Sequence, residues 1–385
     1  MPVRVGLQIL LEERLDLLKN QRVGLITNPT GVTYTLQSNV DALRAAGVNL
    51  VALFGPEHGF SASAADATPV ASGRDARTGL PIYSLYGETR KPTADMLSNI
   101  DVMLFDLQDV GVRFYTYTAT LALTLQACTA SRIKLIVLDR PNPLNGIMLE
   151  GPMLDPDLQS FIGHGHLPIR YGLTMGELAQ FYNAEQAVSA ELQVIALQGW
   201  QRGMWFEETG LPWVPPSPGI PHVSTTIVYP GTCFVEGTNL SEGRGTALPF
   251  EIVGAPWLDG NALAEELNAQ RLGGVRFRAT TFTPDVSKHA GKLCCGVQVH
   301  VTERPAFQPV VAGLHILAAC RAQSPDRFEF LSTSWEGRPP HLDLLIGTPH
   351  VREALVWNQS IESIVSEWSS DLSNFEEIRH RYLLY

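Results

Sequence analysis

The sequence predicts an α/β fold, an open parallel sheet followed by a smaller α+β unit, and three observations carry that prediction. First, four stretches share one grammar, a short apolar strand running into a polar Gly/Pro-rich turn: VGLITNPTG (23–31), LVALFGPEHGF (50–60), VMLFDLQDVGVRFYTY (102–117) and LIVLDRPNPLNG (135–146). Second, helical patterns lie between them, and strand-helix-strand in this rhythm means right-handed crossovers into a parallel sheet. Third, the composition shifts at the Pro-rich WVPPSPGIP (213–221), which can be neither helix nor central strand and reads as a stiff connector.

Element by element, helices are predicted over 38–46, 93–98 and 119–130, and over 174–185, where Thr174 and Glu177 have the spacing of a capping box. The strand ELQVIAL (191–197) follows. Near the N-terminus Leu7, Leu11, Leu15 and Leu18 fall at helical spacing. Beyond the connector come a helix (261–270), two strands with no helix between them (275–282 and 294–302), and helices at 309–322, 350–357 and 361–381. Adjacent strands without a crossover suggest an antiparallel pair. The domains are read as 1–228 and 229–385, two being the expectation for a chain of 385 residues.

A net charge of -11 argues against an extended nucleic-acid surface, so an anionic ligand must meet local arginines or lysines. The five cysteines are scattered, with one adjacent pair, Cys294 and Cys295; they read as reduced thiols with no disulfide framework. Without a CxxC, and with His164 and His166 lacking a third ligand at useful spacing, no metal is predicted. No cofactor is predicted either: a P-loop, a GxGxxG after the first strand and a GxSxG elbow are all missing from the sequence. No apolar run approaches the roughly 20 residues that span a bilayer, and the apolar stretch from Val5 to Leu11 is short for a signal segment, so the sequence as it stands reads as cytoplasmic, or as secreted or periplasmic if a leader was removed. The oligomeric state is not legible.

In an open parallel sheet the strand carboxyl ends share one edge, so the four turns are expected to converge on one crevice. That crevice gathers Asn28, Glu57, His58, Asp106, Asp109, Arg113, Asp139, Arg140 and Asn142. GPEHG (55–59) is the sharpest signal, because a carboxyl at a strand end, partly shielded from water, suits a general acid; the bland alternative is a turn whose glutamate caps a helix. In FDLQDVGVRFYTY the acids stand beside Arg113, Tyr115 and Tyr117, a mixture suited to sugar hydroxyls and ring stacking, or equally to an internal Asp–Arg salt bridge. The loop in CFVEGTNLSEGRGTALPFE (233–251) carries Glu236, Glu242 and Arg244 among glycines that imply unusual backbone angles; a solvated surface loop is the alternative. Lys288 and His289 follow a strand and are weaker candidates.

Taken in order, LITNPTG, FGPEHGF, LPIYSLYGETRKPT, FDLQDVGVRFYTY, LDRPNPLNG, EGTNLSEGRGT, PFEIVGAPW and the terminal RYLLY resemble the exo-β-N-acetylmuramidase family of bacterial peptidoglycan recycling over essentially the whole chain. The resemblance implies a Rossmann-like domain, a smaller C-terminal domain closing a cleft, and release of N-acetylmuramic acid from the non-reducing end of small glycan or muropeptide fragments. It puts the catalytic glutamate on Glu57 and, as a second acidic group, suggests Glu242. Two features depart from the family pattern: the missing secretion signal, and SASAADATPVASG after GPEHGF in place of a charged segment. Glycoside hydrolysis needs an acid on the leaving oxygen and a second group at the anomeric face, which is either a carboxylate or the sugar's own acetamido group. The lactyl carboxylate of muramic acid needs a cation, for which Arg113, Arg140 and Arg244 are the candidates. The competing readings are a catalytically silent amino-sugar-binding protein, and an amidase, whose metal or nucleophile the sequence does not supply.

Overall fold

The two central strands of the N-terminal sheet, Val23–Thr27 and Val102–Asp106, are buried from end to end, as strands covered on both faces require. The structure is a computed structural model that describes residues 2–65, 68–334 and 338–385. The chain divides into two compact units: Met1–Met148, Tyr171–Pro221 and Glu377–Tyr385 form one, and Leu149–Arg170 with His222–Glu376 form the other. The division is discontinuous in the chain. A segment between two strands of the first unit belongs to the second, and the last residues return to the first.

Among the described residues the first unit holds β1 (Val23–Thr27), β2 (Leu50–Gly55), β3 (Gly73–Arg74), β4 (Pro81–Ser84), β5 (Val102–Asp106), β6 (Lys134–Leu138) and β7 (Leu192–Ile195). They lie in the order β3-β4-β2-β1-β5-β6-β7, all parallel except β3, which runs antiparallel to β4. With β3 set aside, the parallel strands taken in chain order stand 3-2-1-4-5-6, the order of a doubly wound dinucleotide-binding sheet. The order reverses between β1 and β5, and the crevice rule puts a ligand outside the carboxyl ends of that pair. Their register sets Thr27 against Asp106, so Asn28 and Leu107 open the switch point side by side.

The predicted helices form at Asn39–Ala45, Ala94–Leu97, Tyr117–Ser131 and Met175–Glu185. Ser38 caps the first by accepting from the Asp41 amide, and Thr174 and Glu177 close the capping box. β3 and β4 were not foreseen. They are short, and Pro81 opens β4.

The second unit holds an antiparallel sheet in the order β8-β10-β9, with β8 at Ile252–Ala255, β9 at Val275–Phe282 and β10 at Cys294–Val301. The antiparallel pair is the predicted one; β8 is an addition from a stretch to which the sequence assigned no element. Helix Val223–Thr232 was also unforeseen, because VSTTIVYPGT is rich in β-branched residues and contains Pro230. Thr225 through Thr232 are buried, so packing overrides propensity there. The predicted helix over 361–381 is broken into Ile361–Ser366 and Ser369–Arg379.

Candidate active site

Glu57 stands two residues past β2, in a turn with strained backbone. His58 adopts φ +67° and Gly59 φ +78°, and Gly59 N donates to Pro56 O at 2.9 Å. A side chain at Gly55 would sit 2.5 Å from the Phe60 amide nitrogen, so the turn closes only over glycine. A non-glycine residue at positive φ costs about 1–3 kcal/mol, and such strain clusters at functional sites. His58 Nδ1 lies 2.9 Å from Ala64 O, which ties the strained residue to the following loop. Glu57 is only 9% exposed, and Thr116 Oγ1 donates to its Oε2 at 2.7 Å.

Three turns meet around this carboxyl. Thr116 ends the turn after β5, and the adjacent Tyr117 accepts from Asn28 Nδ2, after β1, at 2.6 Å. Asn28 Oδ1 in turn accepts from the Thr30 amide and hydroxyl, and Tyr117 Oη donates to Pro216 O at 2.7 Å. Tyr115 packs edge-on against Tyr117 with centroids 4.8 Å apart. The loops after β2, β1 and β5 therefore converge as the strand grammar predicts, and Pro216 of the Pro-rich segment joins them.

Other predicted members are taken up by internal partners. Asp106 is fully buried, bonded by Arg140 Nε at 2.6 Å and Asn39 Nδ2 at 2.7 Å, and Arg140 also donates to Val32 O. The Asp–Arg pair thus joins Asp106 to Arg140, not to Arg113. Asp139 is fully buried as well; it accepts from Thr174 Oγ1, the Gly176 amide and Tyr385 Oη at 2.6–2.7 Å, so it anchors the start of helix Met175–Glu185. Asn142 spans Leu173 O and the Leu144 amide. Asp109 Oδ2 accepts from Tyr171 Oη and, at 2.7 Å, from the Gly111 amide. Burial pushes Asp109 and Asp139 each up to about 6, against the pull of those donors. Arg113 has no exposed surface.

In the second unit, Gly243 at φ +78° and Gly245 at +76° shape the loop that presents Glu242 and Arg244, as its glycines suggested. Arg244 donates to Glu236 Oε1 at 2.6 Å, approaches Glu242 Oε1 at 3.4 Å and lies over the Phe250 ring, 4.8 Å from its centroid. Lys288 Nζ stands 2.9 Å from Glu242 Oε2 and also donates to Val235 O and Thr238 O. His289, at φ +61°, places Nε2 2.7 Å from Asn239 O. Burial disfavours the Glu236 carboxylate, but Arg244 and His341 outweigh it and hold Glu236 well below the usual carboxylate range. Glu236, Glu242, Arg244 and Lys288 thus form one alternating charge cluster, with His341 at its margin.

Sequence reasoning passed over Thr116, Tyr385 and Glu150. Thr116 sits inside FYTYT, where the aromatics drew attention. Tyr385 belongs to the terminal RYLLY; its hydroxyl accepts from the Leu197 amide while donating to Asp139. Glu150 accepts from the Val310 and Val311 amides at the start of helix Pro309–Gln323, an acid-at-helix-start pairing that no local pattern reveals across 160 residues.

Among the described residues no group of His, Cys, Asp and Glu is arranged to hold a metal, and no helix is long and apolar enough to cross a membrane. The family profile described as exo-beta-N-acetylmuramidase NamZ, N-terminal, matches residues 23–224, and its C-terminal counterpart matches residues 227–385. The chain is 46% identical over 384 residues to the peptidoglycan beta-N-acetylmuramidase NamZ of Bacillus subtilis (strain 168), covering 100% of this chain and 91% of that protein. Crystal structures of two DUF1343 family proteins from Bacteroides fragilis NCTC 9343 match with TM-scores of 0.91 and 0.80, at 36% and 30% identity, each over 100% of this chain and 99% of the other. With both profiles matched in order and a full-length relative at this identity, the chain belongs to the exo-beta-N-acetylmuramidase NamZ family.

Proposed function

We propose that this chain is a glycoside hydrolase, an exo-β-N-acetylmuramidase that releases N-acetylmuramic acid from the non-reducing end of peptidoglycan fragments, with Glu57 as its general acid. The observation that carries the residue assignment is the Glu57 carboxyl itself: it stands beyond a strand end beside the switch point, in a strained turn, nine-tenths buried and bonded by Thr116. Proton transfer from a positioned carboxyl to the leaving oxygen is what breaking a glycosidic bond requires. Thr116 is followed by Tyr117, whose hydroxyl accepts from Asn28. Glu242, facing Lys288 and Arg244, is the proposed second acidic group.

For the lactyl carboxylate we favour Arg244 over Arg113 and Arg140. Arg113 is wholly enclosed and the Arg140 side chain keeps only 6% of its surface, whereas the Arg244 side chain, although paired with Glu236, keeps 16%.

Incubation with a chromogenic β-glycoside of N-acetylmuramic acid and with a disaccharide-peptide tests the activity by showing which bond breaks. Release of the chromogen and of free N-acetylmuramic acid, with the stem peptide still attached to its lactyl group, is the expected result. Release of the peptide instead identifies an amidase, and saturable binding without cleavage identifies a sugar-binding protein.

A further inference from the structure

Thr116 occupies the N-cap of helix Tyr117–Ser131, where a threonine hydroxyl ordinarily accepts from an amide of the first turn. Here it does not. The residue lies at φ -62°, ψ -13°, inside the helical region, and its side chain makes no capping bond. Its carbonyl accepts from the Thr120 amide at 2.9 Å and from the Thr120 hydroxyl at 3.1 Å, so the backbone is held independently of the side chain. The freed hydroxyl donates to Glu57 Oε2 at 2.7 Å, across a sequence separation of 59 residues. Both partners are at least nine-tenths buried, so water competes poorly for the bond.

We infer that Thr116 is the positioning residue of the acid, a hydroxyl that fixes the plane of the Glu57 carboxyl and stabilises the carboxylate formed as the proton leaves. The inference rests on the reading of Glu57 as general acid. In that step the carboxyl O–H bond breaks, a new O–H bond forms on the glycosidic oxygen, and the electron pair of the anomeric C–O bond departs with that oxygen. Glu57 is left as an anion. Thr116 keeps its own proton throughout and donates to an oxygen whose negative charge grows, so its bond is stronger after transfer than before. A purely structural hydroxyl would show no such dependence on the reaction.

Thr116→Val and Thr116→Ala remove the donor, and Thr116→Ser retains it. The assay is steady-state cleavage of the chromogenic muramic acid glycoside across pH, with near-UV circular dichroism as the check of folding. The expected result for Val and Ala is a kcat lowered about 10- to 100-fold, the size of one charge-assisted hydrogen bond, with KM nearly unchanged. The alkaline limb of the kcat profile should also move to higher pH by about half a unit or more, because the product carboxylate has lost a stabilising donor. Thr116→Ser should restore both rate and limb. A folded variant with normal kcat overturns the inference, as does a lowered kcat whose alkaline limb stays in place. If neither Val nor Ala folds, the hydroxyl is structural and the inference fails. Failure of the underlying reading looks different: Glu57→Gln would then turn over normally, whatever the Thr116 variants do.

Discussion

Two of the charged groupings, one in each unit, are built on opposite plans. At the carboxyl edge of the large sheet, Asp106 and Asp139 are fully enclosed and their carboxyl oxygens meet Arg140, Asn39, Thr174, Gly176 and Tyr385. Around the glycine-rich loop of the second unit, Arg244 and Lys288 keep 16% and 24% of their side-chain surface while they pair with glutamates. An acid at a strand end is therefore weak grounds for ligand binding until its burial is known. Glu57 is enclosed like the first group and accepts from the Thr116 hydroxyl, while Arg244 and Lys288 face Glu236 and Glu242.

The largest effect that sharpens this contrast is expected at Glu57. Glu57→Gln keeps an acceptor for Thr116 and should leave the fold intact, while turnover falls by about 10² to 10⁴, the usual worth of general acid catalysis. Turnover within a few-fold of the parent in a folded variant would remove the acid role.

Next comes Arg140→Met. It strands Asp106 in a site with no exposure, and breaking one side of a buried pair costs about 3–5 kcal/mol. Urea unfolding measures that loss. Under folding conditions the variant should keep its preference for muramic acid over N-acetylglucosamine glycosides, because Arg140 is assigned here to the scaffold. A collapse of that preference would return Arg140 to the substrate.

A third expectation compares buried carboxyls by their pH dependence. Burial pushes Glu150 from 4.5 up to about 7, with Arg170 and the Val311 and Val310 amides pulling the other way. A raised value means that the folded state holds the proton more tightly than the unfolded chain. Its contribution is then fully present below about pH 4.5 and is lost as pH rises through about 7. Glu150→Gln keeps an acceptor for the two amides and removes the titration, so its stability should fall less across that window, by on the order of 3 kcal/mol. Asp109 and Asp139 titrate identically in both proteins and cancel in the comparison. Parallel curves of urea midpoint against pH would refute the assignment.

Much of the fold was legible because the parallel sheet writes itself locally. Strand, turn and helix alternate, and the capping box at Thr174 and the strand Val275–Phe282 fall where the pattern puts them. What escaped depends on distant partners. Helix Val223–Thr232 forms against its own propensities because nearly all of it is buried, and β8 is four residues long. At the site, GPEHG announced itself through its glycines and proline, and the glycine-rich loop through its spacing. Residue type alone did not tell Asp106 or Asp139 from Glu57, since all three are acids at or just beyond strand ends and only tertiary partners separate them. Thr116 was hidden for the same reason: its hydroxyl finds Glu57 from another strand's turn.

The smallest expected effect tests the second plan. Lys288 holds Val235 O, Thr238 O and Glu242 together, but about a quarter of its side chain is in water, and screening weakens such a pair. Lys288→Met keeps the aliphatic stem and removes the ammonium, so it should cost only about 1–2 kcal/mol of stability, well short of Arg140→Met. Its functional consequence is separable from that loss. With Arg244 still 3.4 Å from Glu242, that carboxylate keeps one cation and should become more sensitive to salt, because the remaining interaction carries all of its compensation. Turnover of Lys288→Met should therefore depend more steeply on ionic strength than that of the parent. A loss of stability as large as that of Arg140→Met would mean the cluster is as closed as the sheet edge, and the contrast between the two regions would dissolve.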